Sequence, residues 1–224
     1  VVRLADEWFF SGSWHFDPQG YAGDFGSRYR ALLARIFFQR ENASLRHWKN
    51  KNLPGIFSAV IAPSASMLQK SAASRALGSL PHVIVPNPID SDFWAPASQK
   101  RINRPKAADR AVRLGCGALN LPMDPRKGWD LFGSALKLLF ATRPDCLSRV
   151  ELFFFGGRTP PPLQINGLTV VNRGPLRPPE IVNFYSEVDV MVVPSRVEGF
   201  SNTAAEALAC AVPVIAFDIG GVRE

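Results

Sequence analysis

The stretch "EGFSNTAAEALACAVPVIAFDIGG", from Glu198 to Gly221, carries two glutamates eight positions apart and ends in an apolar run closed by two glycines. The small residues between the glutamates predict the first turns of a helix, and "VPVIAFD" predicts a buried strand. Glu206 then lies about one turn inside that helix, and Glu198 lies in the loop before it. A carboxylate on each side of a helix start indicates either packing or a binding site.

The same alternation of strands and helices extends over the whole chain. Runs such as "SAVIAPS", "VELFFFGG" and "VDVMVVPS" are almost continuously aliphatic, aromatic or β-branched. Strands of this kind are buried on both faces, which is typical of a parallel sheet with helices above and below. We predict an α/β chain with a first domain over residues 1–87, a proline-rich charged linker over 88–109, and a second domain over 110–224.

Composition narrows the protein class. The 224 residues are 46% hydrophobic and 20% charged, which are globular values. No apolar run approaches the ~18 residues of a membrane helix. The three cysteines and three histidines are scattered without a metal-ligand spacing, so we expect a reducing, cytoplasmic location and no metal. Because the chain begins on the apolar "VVRLA" without Met, we expect a fragment cut inside a strand.

Positive charge is concentrated near the N-terminus. The net charge is +7, and seven basic residues oppose one acid between Arg28 and Lys51, with aromatic residues interleaved. This pattern predicts either a solvated helical face or a surface for an anionic partner, such as acidic lipid headgroups, an anionic glycan or nucleic acid. No nucleic-acid motif supports the last alternative, so we expect no nucleic-acid partner.

Three loops of the second domain follow predicted strands, at the edge where parallel α/β sheets bind ligands. They cover Gly115–Asp130, Phe155–Arg158 and Pro194–Asn202. The first contains Lys127, whose compact positive charge suits a diphosphate. The third enters the helix of Glu206, and the free N–H groups of a helix start also suit a phosphate.

The residue types around that helix start favour a bound nucleotide. Gly199 allows close backbone approach, and Ser201 or Asn202 can cap the helix. Glu198 and Glu206 can accept hydrogen bonds from hydroxyls at two ends of one ligand, a ribose and a sugar. Taken singly, a glutamate in a first helical turn is explained by the helix dipole, worth roughly 0.3–1 kcal/mol. Because Lys127 and the two glutamates occur together at successive strand ends, a binding site is favoured over packing alone.

Several motifs together resemble glycosyltransferase family 4. The opening stretch, extended to Glu224, is similar to its donor segment E-G-F-x-N-x-x-x-E-A-x-A-C-G-x-P-V-V-A, which a Gly-Gly pair and a Glu follow. "DPRKGWDLF" resembles the lysine loop, and "FYSEVDVMVVPSRVEG" resembles Y-S-x-A-D-x-x-x-x-P-S-x-x-E-G. "RLADEWFFSGSWHF" resembles a branch that builds bacterial surface polysaccharides.

The resemblance implies a GT-B-like fold of two Rossmann-like parallel-sheet domains, both incomplete here. It implies a retaining hexosyltransferase that uses a UDP- or GDP-sugar and a glycan or lipid-linked acceptor, with no cofactor and no catalytic metal, at the cytoplasmic face of a membrane. Lys127 would bind the diphosphate and stabilise the leaving charge, Glu198 would contact the donor sugar, and Glu206 the ribose. Asp6 and His15 would place the acceptor. The implied donor-binding residues are Arg126, Lys127, Glu198, Gly199, Phe200, Ser201, Asn202 and Glu206.

The sequence also departs from the family pattern. Ala5 stands where the family often has His, and Ala118 and Leu119 stand where many members have Arg, a role Arg126 can take. Ala211 stands where the family has Gly, although a helix C-terminus favours Gly. Two alternatives therefore stay open: a non-catalytic sugar-nucleotide-binding module, and a GT-B phosphorylase or sugar-phosphate synthase. For His15 the alternative is a histidine within the core.

Overall fold

The computed structural model of the chain describes residues 1–6, 9, 43–102, 110–118, 121, 124–157 and 165–224. The chain divides into two compact units. Unit 1 comprises Val1–Asn87 with Val197–Phe200 and Asp218–Glu224, and unit 2 comprises Pro88–Arg196 with Ser201–Phe217. Among the described helices, none has the length and apolar character needed to cross a membrane.

Unit 1 is built on a parallel sheet with the described strand order β1-β2-β3. β1 is Val2–Arg3, β2 is Val60–Ala62 and β3 is His82–Ile84. Residues 43–56 form helix α1, and Ala65–Ala72 form helix α2. Strands and helices bury a common apolar core, whose members are Val2, Leu4, Leu53, Val60, Ala62, Met67, Ala76 and Leu77.

Unit 2 is built on a parallel sheet with the described order β6-β5-β4-β7-β8. Its strands are β4 (Val112–Gly117), β5 (Val150–Phe155), β6 (Thr169–Asn172), β7 (Val190–Val193) and β8 (Val214–Ala216). Its helices are α3 (Ser91–Ile102), α4 (Trp129–Thr142), α5 (Pro178–Glu187) and α6 (Asn202–Ala209). Two parallel sheets with helices confirm the predicted α/β class.

Strand β5 is buried on both faces because successive side chains of a strand point in opposite directions. Phe153 and Phe155 pack with α3, α5 and α6, whereas Leu152 and Phe154 pack with α4. The neighbouring strand β4 makes room with glycine: a Cβ on Gly117 would lie 2.1 Å from the ring of Phe155, its partner in register. The continuous apolar run of β5 thus follows from two cores on opposite sides of one sheet.

Helix α3 differs from the sequence-based expectation. The sequence predicts a linker without periodic structure over 88–109, whereas residues 91–102 are helical. Trp94 and Ala97 lie in the core of unit 2, at 7% and 0% exposure, and Asp90 Oδ1 accepts hydrogen bonds from the N–H groups of Asp92 and Phe93. The helix was not predicted because it carries Pro96 and shows only a narrow apolar stripe. The proposed domain limits themselves stay a prediction.

Candidate functional site

The strand order of unit 2 creates a topological switch point between β4 and β7. The chain builds β4, β5 and β6 in one direction and then adds β7 and β8 on the other side of β4. In open α/β sheets, ligands bind at such a point, near the carboxyl ends of the two flanking strands. Here the loop after β4 carries Lys127, and the loop after β7 leads to the helix of Glu206.

The loop of Lys127 is a tight turn held against the loop after β7. Pro125–Lys127 form a 3-10 turn, which Asp124 caps by accepting a hydrogen bond from the N–H of Arg126 at 3.0 Å. Gly128 follows in the left-handed region, with φ +63°. A Cβ on Gly128 would lie 1.8 Å from the carbonyl oxygen of Pro194, so only glycine permits this backbone approach.

Arg196 joins the same two loops by several hydrogen bonds. Its backbone N–H donates to the carbonyl of Arg126 at 2.7 Å, and its guanidinium donates to the carbonyl of Pro125 at 2.9 Å and to Asp130 Oδ1 at 2.7 Å. The bond from Arg196 lowers the pKa of Asp130 below its ordinary value. Arg196 was not predicted as a site residue, although it lies inside the recognised P-S-R-V-E-G segment.

The two cations of the Lys127 loop differ in their surroundings. The guanidinium of Arg126 forms an ion pair with Asp124 at 2.6 Å, which ties it to its own loop. Lys127 is partly buried at the end of the turn. The geometry therefore gives Arg126 a role in shaping the loop, in addition to any role in binding a diphosphate.

Helix α6 starts as the sequence predicts. Ser201 is the N-cap, and its hydroxyl accepts a hydrogen bond from the N–H of Ala204 at 3.3 Å. Ser201 is buried, whereas Asn202, the first helical residue, is exposed. A capped helix start next to a strand end carries the positive end of the helix dipole.

A buried tyrosine on a neighbouring helix holds Glu206 by a hydrogen bond. The hydroxyl of Tyr185 on α5 donates a hydrogen bond to Glu206 Oε2 at 2.9 Å. Burial raises the pKa of Glu206, and the bond from Tyr185 opposes that rise. Tyr185 is itself fully buried, with its ring edge-on to Trp94 and Phe155, and burial raises its pKa well above the ordinary value. Tyr185 was not predicted as a site residue.

Glu198 belongs to unit 1, together with the rest of Val197–Phe200. A Cβ on Gly199 would lie 2.6 Å from Met67 Cε and 3.6 Å from the carbonyl oxygen of Ala5. The segment that carries Glu198 therefore runs beside the end of β1, where Asp6 follows Ala5. Glu198 and Phe200 are partly buried.

A pair of glycines near the C-terminus supports the same loop. The N–H of Gly221 donates to the carbonyl of Glu198 at 3.2 Å, and Gly220 has φ +46°. A Cβ on Gly220 would lie 2.0 Å from that carbonyl oxygen, and one on Gly221 would lie 2.2 Å from the carbonyl oxygen of Gly199. The Gly-Gly pair is thus required by close backbone contact with the Glu198 loop.

Asp6 lies near a buried lysine of α1. Lys49 is fully buried, and its burial lowers its pKa to about 8, an effect that the nearby carboxylate of Asp6 partly offsets. Lys49 is one of the seven basic residues between Arg28 and Lys51 and was not predicted as a site residue. His15 and the basic residues at 28–40 lie outside the described residues. Within the described parts of the chain, no group of three or more His, Cys, Asp and Glu side chains can hold a metal.

The predicted site residues thus fall into two groups. Arg126, Lys127, Ser201, Asn202 and Glu206 lie in unit 2, in or after the loops at the carboxyl ends of β4 and β7. Asp6 and the segment of Glu198, Gly199 and Phe200 lie in unit 1.

Comparison with solved structures identifies the architecture. A trehalose-phosphate synthase from Burkholderia vietnamiensis aligns with a TM-score of 0.61 at 13% identity, covering 83% of this chain and 50% of the other. Sucrose-phosphate synthase from Thermosynechococcus elongatus aligns with a TM-score of 0.55 at 22% identity, covering 82% and 47%. A glycosyltransferase from Rickettsia africae gives 0.58 at 20% identity, covering 80% and 48%. These structures confirm the predicted GT-B-like fold.

The curated proteins that this chain resembles are also named as glycosyltransferases. A D-inositol 3-phosphate glycosyltransferase of Kineococcus radiotolerans is 32% identical over 156 residues, covering 63% of this chain and 35% of the relative. The corresponding protein of Frankia alni is 31% identical over 183 residues, covering 73% and 44%. The chain therefore spans between about a third and a half of the length of these relatives.

The family comparison agrees with the resemblance seen in the sequence motifs. The family model described as glycosyl transferases group 1 matches residues 113–224, which is half of the chain. The matched region contains the Lys127 loop, the Glu198 loop and α6. The chain therefore belongs to the glycosyl transferases group 1 family.

Proposed function

We propose that this protein is a retaining glycosyltransferase that moves a sugar from a nucleotide-sugar donor to a glycan or lipid-linked acceptor in polysaccharide biosynthesis. One observation carries the proposal: the loop of Lys127 is locked onto the loop after β7, at the switch point of a parallel sheet, directly before the capped helix of Glu206. Membership of the glycosyl transferases group 1 family supports it.

The donor is held through its charge and its hydroxyls. Lys127, with Arg126 beside it, binds the diphosphate, and the backbone over Gly199, Phe200, Ser201 and Asn202 approaches the phosphates at the start of α6. Glu206 accepts hydrogen bonds from the ribose. Because Tyr185 donates to Oε2 of Glu206, the carboxylate is held in one orientation while its other oxygen stays available as an acceptor.

Transfer requires the departing diphosphate to be stabilised. Lys127 supplies a positive charge that is already in place when negative charge develops on the leaving group. Glu198 holds the hydroxyls of the donor sugar, while Asp6 and His15 place the acceptor hydroxyl. No protein nucleophile and no cofactor take part, and the product keeps the anomeric configuration of the donor.

Two classes of acceptor are candidates. The sequence motifs favour a glycan or lipid-linked acceptor. The curated relatives are named for D-inositol 3-phosphate, and two aligned structures are sugar-phosphate synthases, which favours a phosphorylated small acceptor. An acceptor panel should therefore contain inositol 3-phosphate and glucose 6-phosphate beside lipid-linked sugars.

A peripheral membrane contact forms part of the proposal, at the cytoplasmic face. Trp48 is 51% exposed on α1, and Arg46 and Lys51 on the same helix are exposed. An exposed aromatic ring with a cation about one turn further along the same helix face, as Lys51 is from Trp48, suits an anionic lipid surface. If Arg46→Gln with Lys51→Gln does not change retention on phosphatidylglycerol vesicles at low salt, this part is wrong.

Binding of UDP and GDP to the purified protein tests the donor site. We expect Lys127→Ala and Glu206→Ala each to raise the Kd of the nucleotide that binds, UDP or GDP, by about tenfold. This is the usual effect of losing a hydrogen bond to a charged group. Lys137→Ala is the matched control. Lys137 is exposed on α4, so this substitution removes the same charge away from the candidate site. Unchanged affinity in both site variants would overturn the proposal.

A turnover assay separates the transferase from the non-catalytic module, which the departures at Ala5 and Ala118 favour. Release of nucleoside diphosphate from the sugar nucleotide that binds, dependent on an acceptor, supports the transferase. Binding without any transfer or hydrolysis supports the module.

A further inference from the structure

The carboxylate of Glu224 occupies the start of α2 in unit 1. Its Oε2 accepts a hydrogen bond from the N–H of Ala65 at 2.6 Å, and its Oε1 accepts one from the N–H of Ser66 at 3.0 Å. Ser64, the N-cap residue, accepts the N–H of Met67 with its side chain at 3.1 Å. The first three N–H groups of α2 therefore all have a hydrogen-bond acceptor. Two of them are bound by Glu224, which lies 159 positions from Ala65 and 158 positions from Ser66 in the sequence.

Both oxygens of Glu224 make charge-assisted bonds at the positive end of a helix dipole. Such bonds fix the segment that carries the glutamate, in addition to capping the helix. Glu224 is three residues beyond Gly221, so the bonds anchor Gly221 against α2.

Gly221 connects that anchor to the Glu198 loop. A Cβ on Gly221 would lie 2.8 Å from the Cβ of Ser64 on one side and 2.2 Å from the carbonyl oxygen of Gly199 on the other. Its N–H donates to the carbonyl of Glu198. The backbone of Glu198 and Gly199 is thus packed between the glycine pair and Met67, and the glycine pair is fastened to α2 by Glu224.

We propose that Glu224 is a positioning residue for Glu198: by fastening residues 220–224 to the start of α2, it fixes the backbone that presents the Glu198 side chain to the donor sugar. This inference rests on the proposed function, because it takes the role of Glu198 from there. Glu224 itself does not touch the donor.

The test compares how tightly the purified protein binds two ligands that share one nucleotide, the nucleoside diphosphate and the corresponding nucleotide sugar. The ligands are UDP and UDP-glucose, or GDP and GDP-mannose where the protein prefers guanine. In Glu224→Ala, the Kd of the nucleotide sugar should rise about tenfold while that of the nucleoside diphosphate changes less than about twofold, because only the sugar contacts are displaced. Glu198→Ala should show the same separation, with an equal or larger effect.

Two further variants keep the test independent of folding. Ala65→Pro removes the N–H that donates to Glu224 Oε2, and proline suits this first helical position because Ser64 before it is extended, with φ −154° and ψ 160°. Glu224→Gln keeps an acceptor oxygen without the charge. Each should give a smaller rise, about threefold, in the Kd of the nucleotide sugar alone.

Glu180→Ala is the matched control for the loss of a capping carboxylate. Glu180 accepts the N–H of Arg177 at 2.7 Å at the start of α5 and has no part in the Glu198 loop, so both Kd values should stay unchanged. If Glu198→Ala separates the two ligands and Glu224→Ala, Glu224→Gln and Ala65→Pro do not, the inference is overturned. If Glu198→Ala itself leaves sugar binding unchanged, the proposed role of Glu198 fails instead.

Discussion

The hydroxyl of Tyr185 donates a hydrogen bond to the carboxylate of Glu206 across 2.9 Å, from one helix of unit 2 to another. Burial raises the pKa of Glu206, and this bond lowers it because the tyrosine stabilises the ionised form. Removing the hydroxyl should therefore raise the pKa of Glu206 further.

Tyr185→Phe should weaken nucleotide binding and move its pH dependence. The ionised carboxylate is the better acceptor for ribose hydroxyls, so affinity should fall as the pH decreases through the pKa of Glu206. In Tyr185→Phe that fall should occur at higher pH, with binding about 3- to 10-fold weaker than in the unmodified protein within the shifted pH range. Titration of nucleotide binding between pH 4.5 and pH 8 measures this. Identical pH profiles for both proteins would contradict the role given to Tyr185.

Gly128→Ala should disrupt the Lys127 loop. The new methyl group would meet the carbonyl of Pro194, and the backbone would keep an unfavourable positive φ. We expect a loss of about 2–4 kcal/mol in the free energy of unfolding, together with weaker nucleotide binding.

The matched control for that variant is Gly174→Ala. Gly174 has almost the same φ, +64°, but nothing lies within 4 Å of its added Cβ. It should therefore lose only the conformational term, about 1 kcal/mol, and keep nucleotide binding. Equal losses in the two variants, measured by urea unfolding, would show that contact with Pro194 does not hold the loop.

Ala211→Gly should stabilise the protein. Ala211 has φ +57°, and no other non-glycine residue in the described ranges has a positive φ. The N–H of Val212 donates to the carbonyl of Ala207 at 2.8 Å, and that of Ala211 donates to Leu208 at 2.9 Å, which is the Schellman pattern that favours glycine. We expect a gain of about 1 kcal/mol in the free energy of unfolding.

Ala209→Gly tests whether the gain is specific to that backbone conformation. Ala209 is the last residue of α6, where glycine is less favourable than alanine by roughly 0.5–1 kcal/mol. Opposite signs for the two variants in urea unfolding are expected. A loss of stability in Ala211→Gly would mean that the αL residue carries no strain.

Lys49→Met should remove a pH dependence of stability. Burial lowers the pKa of Lys49 to about 8, below its unfolded value, so the folded state loses this proton first as the pH rises. Between pH 8 and 10 the unfolded state then binds more protons, and the free energy of unfolding should increase by up to about 2 kcal/mol. Urea unfolding at pH 7.5 and pH 9.5 measures the increase. The same increase in Lys49→Met would assign it to other groups.

The sequence predicted the sheets well because their signal is local. The run from Val150 to Phe155 has no polar interruption after Glu151, and such a strand fits only a sheet covered on both faces. Helix α3 escaped prediction because its contribution to the core rests mainly on Trp94 and Ala97. Three charged residues and Pro96 dominate its sequence.

The candidate site was predictable only in part. Lys127 and Glu206 stand at strand ends, a position that the sequence pattern alone can locate. Tyr185 contacts Glu206 from 21 residues away on a different helix, and the contact depends on how α5 and α6 pack. The packing of the Glu198 loop within unit 1 likewise depends on contacts with Met67 and Gly221, which are distant in the sequence and which no local pattern contains.

The glycine that faces Phe155 has a consequence for folding fidelity. From Leu152 to Phe155 both surfaces of β5 are apolar, so sliding this part of the strand by one residue would bring none of its own polar groups into an apolar environment, and the hydrophobic pattern there does little to fix the alignment. Size supplies the guidance instead. A bulky ring at 155 needs the empty space opposite it at 117, and a shifted strand would bring the ring against Cys116. We infer that steric fit selects the correct alignment here, and that filling this space would favour mispaired, aggregation-prone chains.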